Sequence, residues 1–159
     1  MIFVTIGTQQ QNFDRLFDYI NKIDNDEDII VQKGKSNYRF NVNIKSYNFL
    51  SYEEMDKYLN EARVVIAHGG GGTIFKALKL NKKIIVVPRL SKYKEHINNH
   101  QLEFSLYLKK MNYCFVVQDE NEFFDALNSI DNYKFSKYIS KEKKFINNIE
   151  KEIDALLGE

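Results

Sequence analysis

The residues with the clearest chemical potential are four consecutive glycines at positions 69–72, flanked by His68 and Thr73. They follow an apolar β-branched run at 64–67 and precede a segment with helical periodicity. Glycine lets the backbone turn sharply and approach a ligand, and a helix that starts here presents unpaired N–H groups and a partial positive charge. The run predicts an anion site with a diphosphate as its natural occupant, and Thr73 as a helix cap or a phosphate ligand. The alternative is a turn that only packs a strand against a helix.

Three other phosphate or metal motifs fail on spacing. Residues 34–36 resemble the end of a P-loop, but that motif needs a glycine at position 29, where the chain has Ile29. Residues 7–11 lack the second and third glycines of a dinucleotide fingerprint. Residues 24–28 resemble the start of a calcium loop, yet Ile29 and Lys35 stand where that loop needs glycine and glutamate. A solvated turn is the better interpretation of this acidic segment.

A second polar stretch, residues 89–101, follows the only proline, Pro88, at the end of an apolar run. If a helix begins near His96, then His96, Asn99 and His100 lie on one face. That spacing suits a metal, but no acidic or cysteine partner stands at ligand spacing, so no metal site is predicted. Hydrogen bonds to a polyhydroxylated ligand fit these side chains better. A solvated helix terminus is the alternative interpretation.

Composition limits the classes of partner. The 159 residues suffice for one domain, and the formal charge of +1 gives no global attraction to nucleic acid or anionic lipid. The single cysteine, Cys114, excludes a disulfide framework and predicts a buried thiol in a reducing compartment. The first residues lack a basic segment and are too short for a signal sequence or a membrane span, which predicts a cytosolic protein.

Short β-branched runs alternate with amphipathic segments along the chain. The alternation predicts a Rossmann-like α/β fold, in which an about six-stranded, mainly parallel sheet is covered by helices on both faces. Such sheets bind ligands beyond the carboxyl ends of their strands. The predicted strands are residues 2–6, 29–32, 42–45, 64–67, 84–87 and 115–117.

Helical periodicity predicts the elements between these strands. A first helix carries Leu16 and Ile20 on one face, and Ser51 with Glu54 three residues later forms a capping box that opens another. Further helices are predicted after the glycine run, around residue 106 and behind Asp119. A C-terminal helix from about residue 138 completes a single domain of residues 1–159.

These motifs together carry a family resemblance. Residues 67–73 and 95–101, with the strand-end motifs 3–8 and 86–89, resemble the C-terminal, donor-binding half of GT-B glycosyltransferases related to the peptidoglycan N-acetylglucosaminyltransferase. The chain is similar to stand-alone small subunits of two-part enzymes. These include transferases of bacterial capsule and exopolysaccharide synthesis and the cytosolic subunit of the dolichol-linked N-acetylglucosaminyltransferase. The resemblance implies one half of a GT-B fold and a nucleotide-sugar-binding domain.

The resemblance also implies a set of site residues. The glycine run would meet the diphosphate, residues 7–8 would border the cleft, and residues 99–101 would lie near the donor sugar. The uracil would rest near residues 47–50, where Phe49 is the candidate contact or, equally, a core aromatic. Lys76 stands where relatives often carry a ribose-binding glutamate, and an ammonium that cannot accept ribose hydrogen bonds is a candidate for the phosphates instead. The candidate substrate-binding residues are Gly7, Thr8, Phe49, His68, Gly69, Gly70, Gly71, Gly72, Thr73, Lys76, Arg89, Glu95, Asn99, His100 and Gln101.

By resemblance, the chain is the donor-binding catalytic subunit of an inverting, metal-independent transferase. It would move a sugar from a UDP-sugar to a lipid-linked acceptor in polysaccharide biosynthesis, with His68 or His96 as the candidate base. No cofactor is expected, and no nucleic acid. A membrane-anchored partner subunit would supply the acceptor site and hold this cytoplasmic chain at the inner face of the membrane. The alternatives are a UDP-sugar-binding module without a catalytic role and an unrelated nucleotide-dependent enzyme on the same fold.

Overall fold

The computed structural model describes residues 1–9, 11–24 and 26–139, and its centre is a parallel sheet. The six strands run in the order β3-β2-β1-β4-β5-β6, and every pair of neighbours is parallel. The predicted Rossmann-like arrangement is therefore confirmed. The strands are β1 (Ile2–Thr5), β2 (Ile29–Gln32), β3 (Ile44–Tyr47), β4 (Val64–Ala67), β5 (Lys83–Val86) and β6 (Phe115–Val116).

Five α-helices within the described ranges cover this sheet on both faces. They are α1 (Asp14–Asn21), α2 (Tyr52–Glu61), α3 (Gly71–Lys79), α4 (His100–Lys110) and α5 (Glu120–Ser129), and a short 3-10 helix spans Ser91–Tyr93. The face that carries Val4 packs against α1 and α5. The face that carries Phe3 packs against α2, α3 and α4. Strands that are apolar on both sides thus bury both sides, as a parallel sheet requires.

On the second face, α3 lies between α2 and α4. Lys76 of α3 forms an ion pair with Asp56 of α2. On the other side, the rings of Phe75 and Phe104 meet edge to face with centroids 5.7 Å apart. The helix that begins in the glycine run is therefore held from both flanks, and its first turn lies at the carboxyl edge of the sheet.

The edge strand β3 begins two residues later than predicted. Val42 is β-branched but 99% exposed, because the chain turns there and the amide of Ile44 donates to the carbonyl of Asn41 at 3.1 Å. The register then pairs Ile44 with Ile29 and Tyr47 with Gln32. Pairing with the neighbouring strand, rather than local propensity, sets this boundary.

Two further sequence predictions concern the second half of the chain. Cys114 is buried, as predicted, and burial raises the pKa of its thiol to about 12. The predicted C-terminal helix lies outside the described residues, except for Tyr138 and Ile139, which are not helical. Within the described ranges, none of the helices combines the length and the apolar character that crossing a bilayer requires.

Candidate functional site

The carboxyl ends of β1, β4 and β5 bring the predicted motifs to one edge of the sheet. Thr5 is in register with Ala67, and Ala67 is in register with Val86. The loops that follow these three strands therefore start side by side. The strand order reverses between β1 and β4, and a parallel α/β sheet binds its ligands at such a switch point.

His68 anchors the turn between β4 and α3. Its side chain is buried, with the residue 8% exposed, and Nδ1 lies 3.4 Å from the carbonyl oxygen of Thr5. A carbonyl only accepts, so Nδ1 carries the proton. A Cβ on Gly7, which has a φ of +71°, would lie 2.7 Å from the ring, and a Cβ on Gly70 would overlap Nε2. Both glycines are thus required by the packing of one imidazole.

The four glycines of the run divide into two pairs. A Cβ on Gly69 would lie 2.6 Å from Cβ and 2.9 Å from the carbonyl oxygen of Gln101, so this glycine, like Gly70, is explained by packing. A Cβ on Gly71 would make ordinary contacts at 3.6 Å, and a Cβ on Gly72 would meet nothing within 4 Å. The interpretation as a simple packing turn therefore accounts for the first pair and not for the second.

The first turn of α3 is also left without a cap. Its N-cap residue is Gly70, no side chain caps the helix, and no acidic residue stands in its first turn. The amides at a helix N-terminus have no intrahelical partner and carry the positive end of the helix dipole. Here they belong to Gly71, Gly72 and Thr73, which makes this terminus suited to an anion. Thr73 occupies the third helical position, so its predicted role as the cap is wrong.

Arg89 and Glu95 lie beneath this edge rather than on it, which corrects their prediction as substrate contacts. Arg89 is fully buried, and its Nη1 donates to the carbonyl oxygens of Gln11 at 2.9 Å and Asn12 at 3.2 Å. Burial lowers the pKa of Arg89 to about 10, which leaves it charged at neutral pH. The sequence shows that Arg89 is positively charged, but only the fold shows that its guanidinium donates to backbone carbonyls and not to a ligand.

Glu95 is likewise held by other groups of the protein, chiefly by an ion pair with Arg15. Both carboxylate oxygens of Glu95 accept from the guanidinium of Arg15 at 2.9 Å, and one also accepts from the amide of Leu90 at 3.0 Å. Arg15 donates further to the carbonyl oxygen of Pro88 at 3.0 Å. A buried charge needs such partners, and this set fixes the loop after β5 against α1. Arg15 was absent from the predicted site, and it lies in the first turn of α1.

The block at residues 96–101 differs from the predicted helix face. α4 begins at His100, so His96 and Asn99 precede it, and the expected shared face is wrong. Asn99 accepts through Oδ1 from the amide and hydroxyl of Ser91, both at 3.0 Å. Gln101 is buried and accepts through Oε1 from the amide of Arg89 at 3.2 Å. His100 is exposed, with Nδ1 3.5 Å from Glu103.

Neither histidine that was predicted as a base presents a well-placed basic nitrogen. Burial, followed by the charge of Arg89, lowers the pKa of His68 to about 4. A general base works best with a pKa near the operating pH, so this ring is a weak base at neutrality. His96 accepts through Nδ1 from the amide of Asn98 at 3.3 Å, and its Nε2 lies 3.4 Å from Nε2 of Gln9.

Lys76 and Phe49 lie on the α2 side of the glycine turn. The ammonium of Lys76 pairs with Asp56 and lies 4.0 Å from the ring centroid of Tyr52. The hydrogen bond that this ammonium donates to Asp56 raises the pKa of Lys76. The structure thus places this charge between α3 and α2 rather than at the glycine amides. Phe49 is 48% exposed in the loop before α2, so its alternative interpretation as a core aromatic is wrong.

A small cavity opens directly beside the glycines, between α3 and α4. Its volume is about 290 Å³, and it is lined by Gly69, Gly71, Phe75, His100, Gln101 and Phe104. Phe75 and Phe104 were not among the predicted site residues, and only the lining of this cavity brings them to the site. A larger cavity of about 420 Å³ lies around Lys83 and Tyr133, where β5 starts, at the opposite edge of the sheet. Among the described residues, no three His, Cys, Asp or Glu side chains are grouped to hold a metal.

Comparison with known proteins agrees with this architecture. The model of the glycosyltransferase family 28 C-terminal domain matches residues 1–156. The UDP-N-acetylglucosamine transferase subunit ALG13 of Candida albicans is 30% identical over 124 residues, which are 78% of this chain and 38% of that protein. The chain therefore spans well under half of this relative.

Solved structures share the fold at lower identity. The solution structure of ALG13 superposes with a TM-score of 0.60 at 17% identity and covers 93% of both chains. Acinetobacter baumannii MurG superposes with a TM-score of 0.57 at 17% identity, over 81% of this chain and 41% of MurG. Because the family model matches nearly the whole sequence, the chain belongs to the glycosyltransferase family 28 C-terminal domain family.

Proposed function

We propose that this chain binds the diphosphate of a UDP-sugar at the first turn of α3 and acts as the donor-binding subunit of a glycosyltransferase. The observation that carries the proposal is the pair Gly71 and Gly72. Packing does not require glycine at either position, and both contribute amides to an uncapped helix terminus at the switch point of the sheet. Family membership and the similarity to ALG13, a UDP-N-acetylglucosamine transferase subunit, favour a UDP-sugar over other nucleotides.

The same amides supply the chemistry that sugar transfer needs. As the bond to the sugar breaks, negative charge develops on the departing diphosphate, and preoriented N–H donors stabilise it. Removal of one such donor typically costs about a hundredfold or more in rate. We propose a transfer with no metal or other cofactor on this basis, since the helix terminus supplies the positive field itself; the proposal that the transfer is inverting rests on the family resemblance alone.

The acceptor side is proposed to belong to a partner. His68 is a weak base because burial lowers its pKa to about 4, and Nδ1 of His96 already accepts from the amide of Asn98, so a base from another polypeptide fits the site better than either of them. The relative is named as a subunit of a transferase, which supports an assembly of at least two chains. We propose a membrane-anchored partner that presents a lipid-linked sugar and holds this chain at the cytoplasmic face, in polysaccharide synthesis. A donor-binding module that leaves all of the chemistry to its partner is the second candidate, and the engaged histidines favour it.

A thermal-shift measurement tests the donor site. In EDTA, UDP and UDP-sugars should raise the melting temperature, whereas NAD and ATP should not. Only a ligand that binds the native state stabilises it, and at a hundredfold excess over Kd it adds about 2.7 kcal/mol to the free energy of unfolding. Gly72→Asp should abolish the shift, since a carboxylate would occupy the terminus and repel the diphosphate. Asn121→Asp is the matched control, because it adds the same charge at the second residue of α5.

The outcomes separate the candidates. An absent UDP response, or an equal one in Gly72→Asp, contradicts the donor site. Sugar transfer in membranes that contain the partner distinguishes the catalytic subunit from the binding module. In that assay, a variant that still binds UDP but loses turnover supports the catalytic subunit. Turnover that falls only in proportion to UDP affinity supports the binding module.

A further inference from the structure

The cavity between α3 and α4 has an apolar wall at the point where a donor sugar would leave the diphosphate. The rings of Phe75 and Phe104 form this wall, inclined at 60° to each other. Phe75 is supported from behind by Tyr138, with centroids 5.8 Å apart. Gly71 lines the same cavity, so the wall begins within the first turn of α3. The wall is fixed by packing and stands beside the amides proposed to hold the phosphates.

The polar group that reaches this cavity is an amide. Gln101 lines it, and while Oε1 accepts from the backbone of Arg89, its Nε2 makes no hydrogen bond within the described residues. A carboxamide N–H₂ donates to a hydroxyl or a carbonyl oxygen. The opening therefore combines two aromatic rings with neutral hydrogen-bond donors, a lining suited to a sugar ring with its C–H groups against the aromatic faces.

Neither Lys76 nor Arg89 lines the cavity. Lys76 pairs with Asp56, and Arg89 donates to backbone carbonyls beneath the turn. His100 lies at the rim with Glu103, whose carboxylate adds a negative charge to that side. A carboxylate on the ligand would therefore face two phenyl rings and an acidic rim, and the described residues that line the cavity include no lysine or arginine. Desolvation of an unpaired carboxylate is costly.

We propose that the slot formed by Phe75 and Phe104 selects a neutral donor sugar, a hexose or an N-acetylhexosamine, and rejects a uronic acid. The inference rests on the proposed function, since it assigns the sugar of the same nucleotide donor. Phe104 is the specificity-determining residue, because it faces Gly71 across the slot and closes the space where the sugar substituents lie.

Calorimetric titration of the chain with UDP, UDP-glucose and UDP-glucuronate tests the proposal. The two sugars are a matched pair that differs only in the oxidation of C6. UDP-glucose should bind at least as tightly as UDP, and UDP-glucuronate at least about tenfold more weakly than UDP-glucose. UDP-N-acetylglucosamine should behave like UDP-glucose.

Substitutions at Phe104 test whether this aromatic wall causes the discrimination between the donor sugars. Phe104→Ala should weaken UDP-glucose by about fivefold while UDP stays within about twofold, since the loss is confined to the sugar. Phe104→Lys should reduce the discrimination against UDP-glucuronate by supplying a cation. Tyr107→Ala, on the same helix but 60% exposed and outside the slot, should change neither.

The neutral-sugar slot and the donor site are refuted by different results. If UDP binds and UDP-glucuronate binds as tightly as UDP-glucose, the neutral-sugar slot is refuted and the donor site stands. If Phe104→Ala weakens UDP and UDP-glucose equally, Phe104 supports the fold rather than the specificity. If UDP itself does not bind, both the slot and the proposed function fall.

Discussion

The helices α2 and α3 lie side by side and begin in opposite ways. At the start of α2, the hydroxyl of Ser51 accepts from the amide of Glu54 at 3.1 Å, and the Glu54 carboxylate accepts from the amide of Ser51 at 2.8 Å. The start of α3 has glycine in place of a capping side chain, and no acid. Both termini expose amides that need partners. Side chains of the protein itself cap the amides of α2, whereas the amides of α3 are left for a ligand. A helix terminus with a structural role and one with a binding role therefore differ in their residues.

The largest effect should come from the glycines that are required by packing. Gly69→Ala places a methyl group 2.6 Å from Gln101 and should lower the free energy of unfolding by up to about 3 kcal/mol. Gly72→Ala meets open space in the first turn of a helix and should instead raise stability, by up to about 1 kcal/mol. Urea denaturation of both variants measures the difference. Equal destabilisation by the two would show that the run is one packing turn after all.

A slightly smaller effect should follow from acid. The pKa of His68 is about 4 in the fold against an ordinary value of 6.5, so the unfolded chain takes up this proton first. The contribution of neutral His68 to the free energy of unfolding is therefore fully present above about pH 6.5 and is lost as the pH falls toward 4. Between pH 7 and pH 5 the free energy of unfolding should fall by about 2 kcal/mol. Denaturation at several pH values measures the slope.

His68→Asn supplies the control for the acid effect. Its carboxamide still donates to the carbonyl of Thr5 but does not titrate, so the loss between pH 7 and 5 should shrink by most of that amount. Hydrogen exchange at pH 5 should show the turn before α3 opening before the first turn of α2. An unchanged slope in the variant would mean that another group is responsible.

The smallest effect is expected at the capped terminus. Ser51→Ala removes one partner of the capping box and should cost about 1 kcal/mol of stability. Because this terminus is completed by the chain itself, UDP affinity should stay within about twofold. Denaturation and calorimetry on the same preparation give both numbers. A loss of UDP affinity larger than the loss of stability would place the nucleotide against Ser51 and erase the contrast between the two helices.

The sequence predicted the fold and the turn from β4 into α3 at the glycine run, because both depend on local patterns. β-branched runs that alternate with helical periodicity predict a parallel sheet. The glycine run is noticeable because glycine destabilises a helix, so four in a row at a helix start indicate a turn with a special role. The capping box of Ser51 and Glu54 was predicted and confirmed for the same reason, since its two partners stand three residues apart.

The site residues that were predicted wrongly or not at all depend on contacts that only the assembled fold determines. Arg89 and Glu95 have the residue types of ligand contacts, yet they satisfy backbone groups and Arg15 from distant parts of the chain. Phe75 and Phe104 have the spacing of core residues, yet one side of each faces the open slot. A side chain's type and spacing are local, whereas the identity of its partner depends on how strands far apart in sequence come together.

The strand order has a consequence for how the protein is made. β1 leaves the ribosome first, but one of its two neighbours, β4, pairs Ile2 with Val64 and Ile66 with Val4. Contacts so distant in sequence close a long loop and form later than local ones. During synthesis β1 and β2 are available to pair while the other edge of β1 stays open until β4 emerges. The seam between β1 and β4 therefore closes only after β4 has emerged, later than the pairing of β1 with β2. Nucleotide binding at this seam would report a chain in which the two halves of the sheet have already paired.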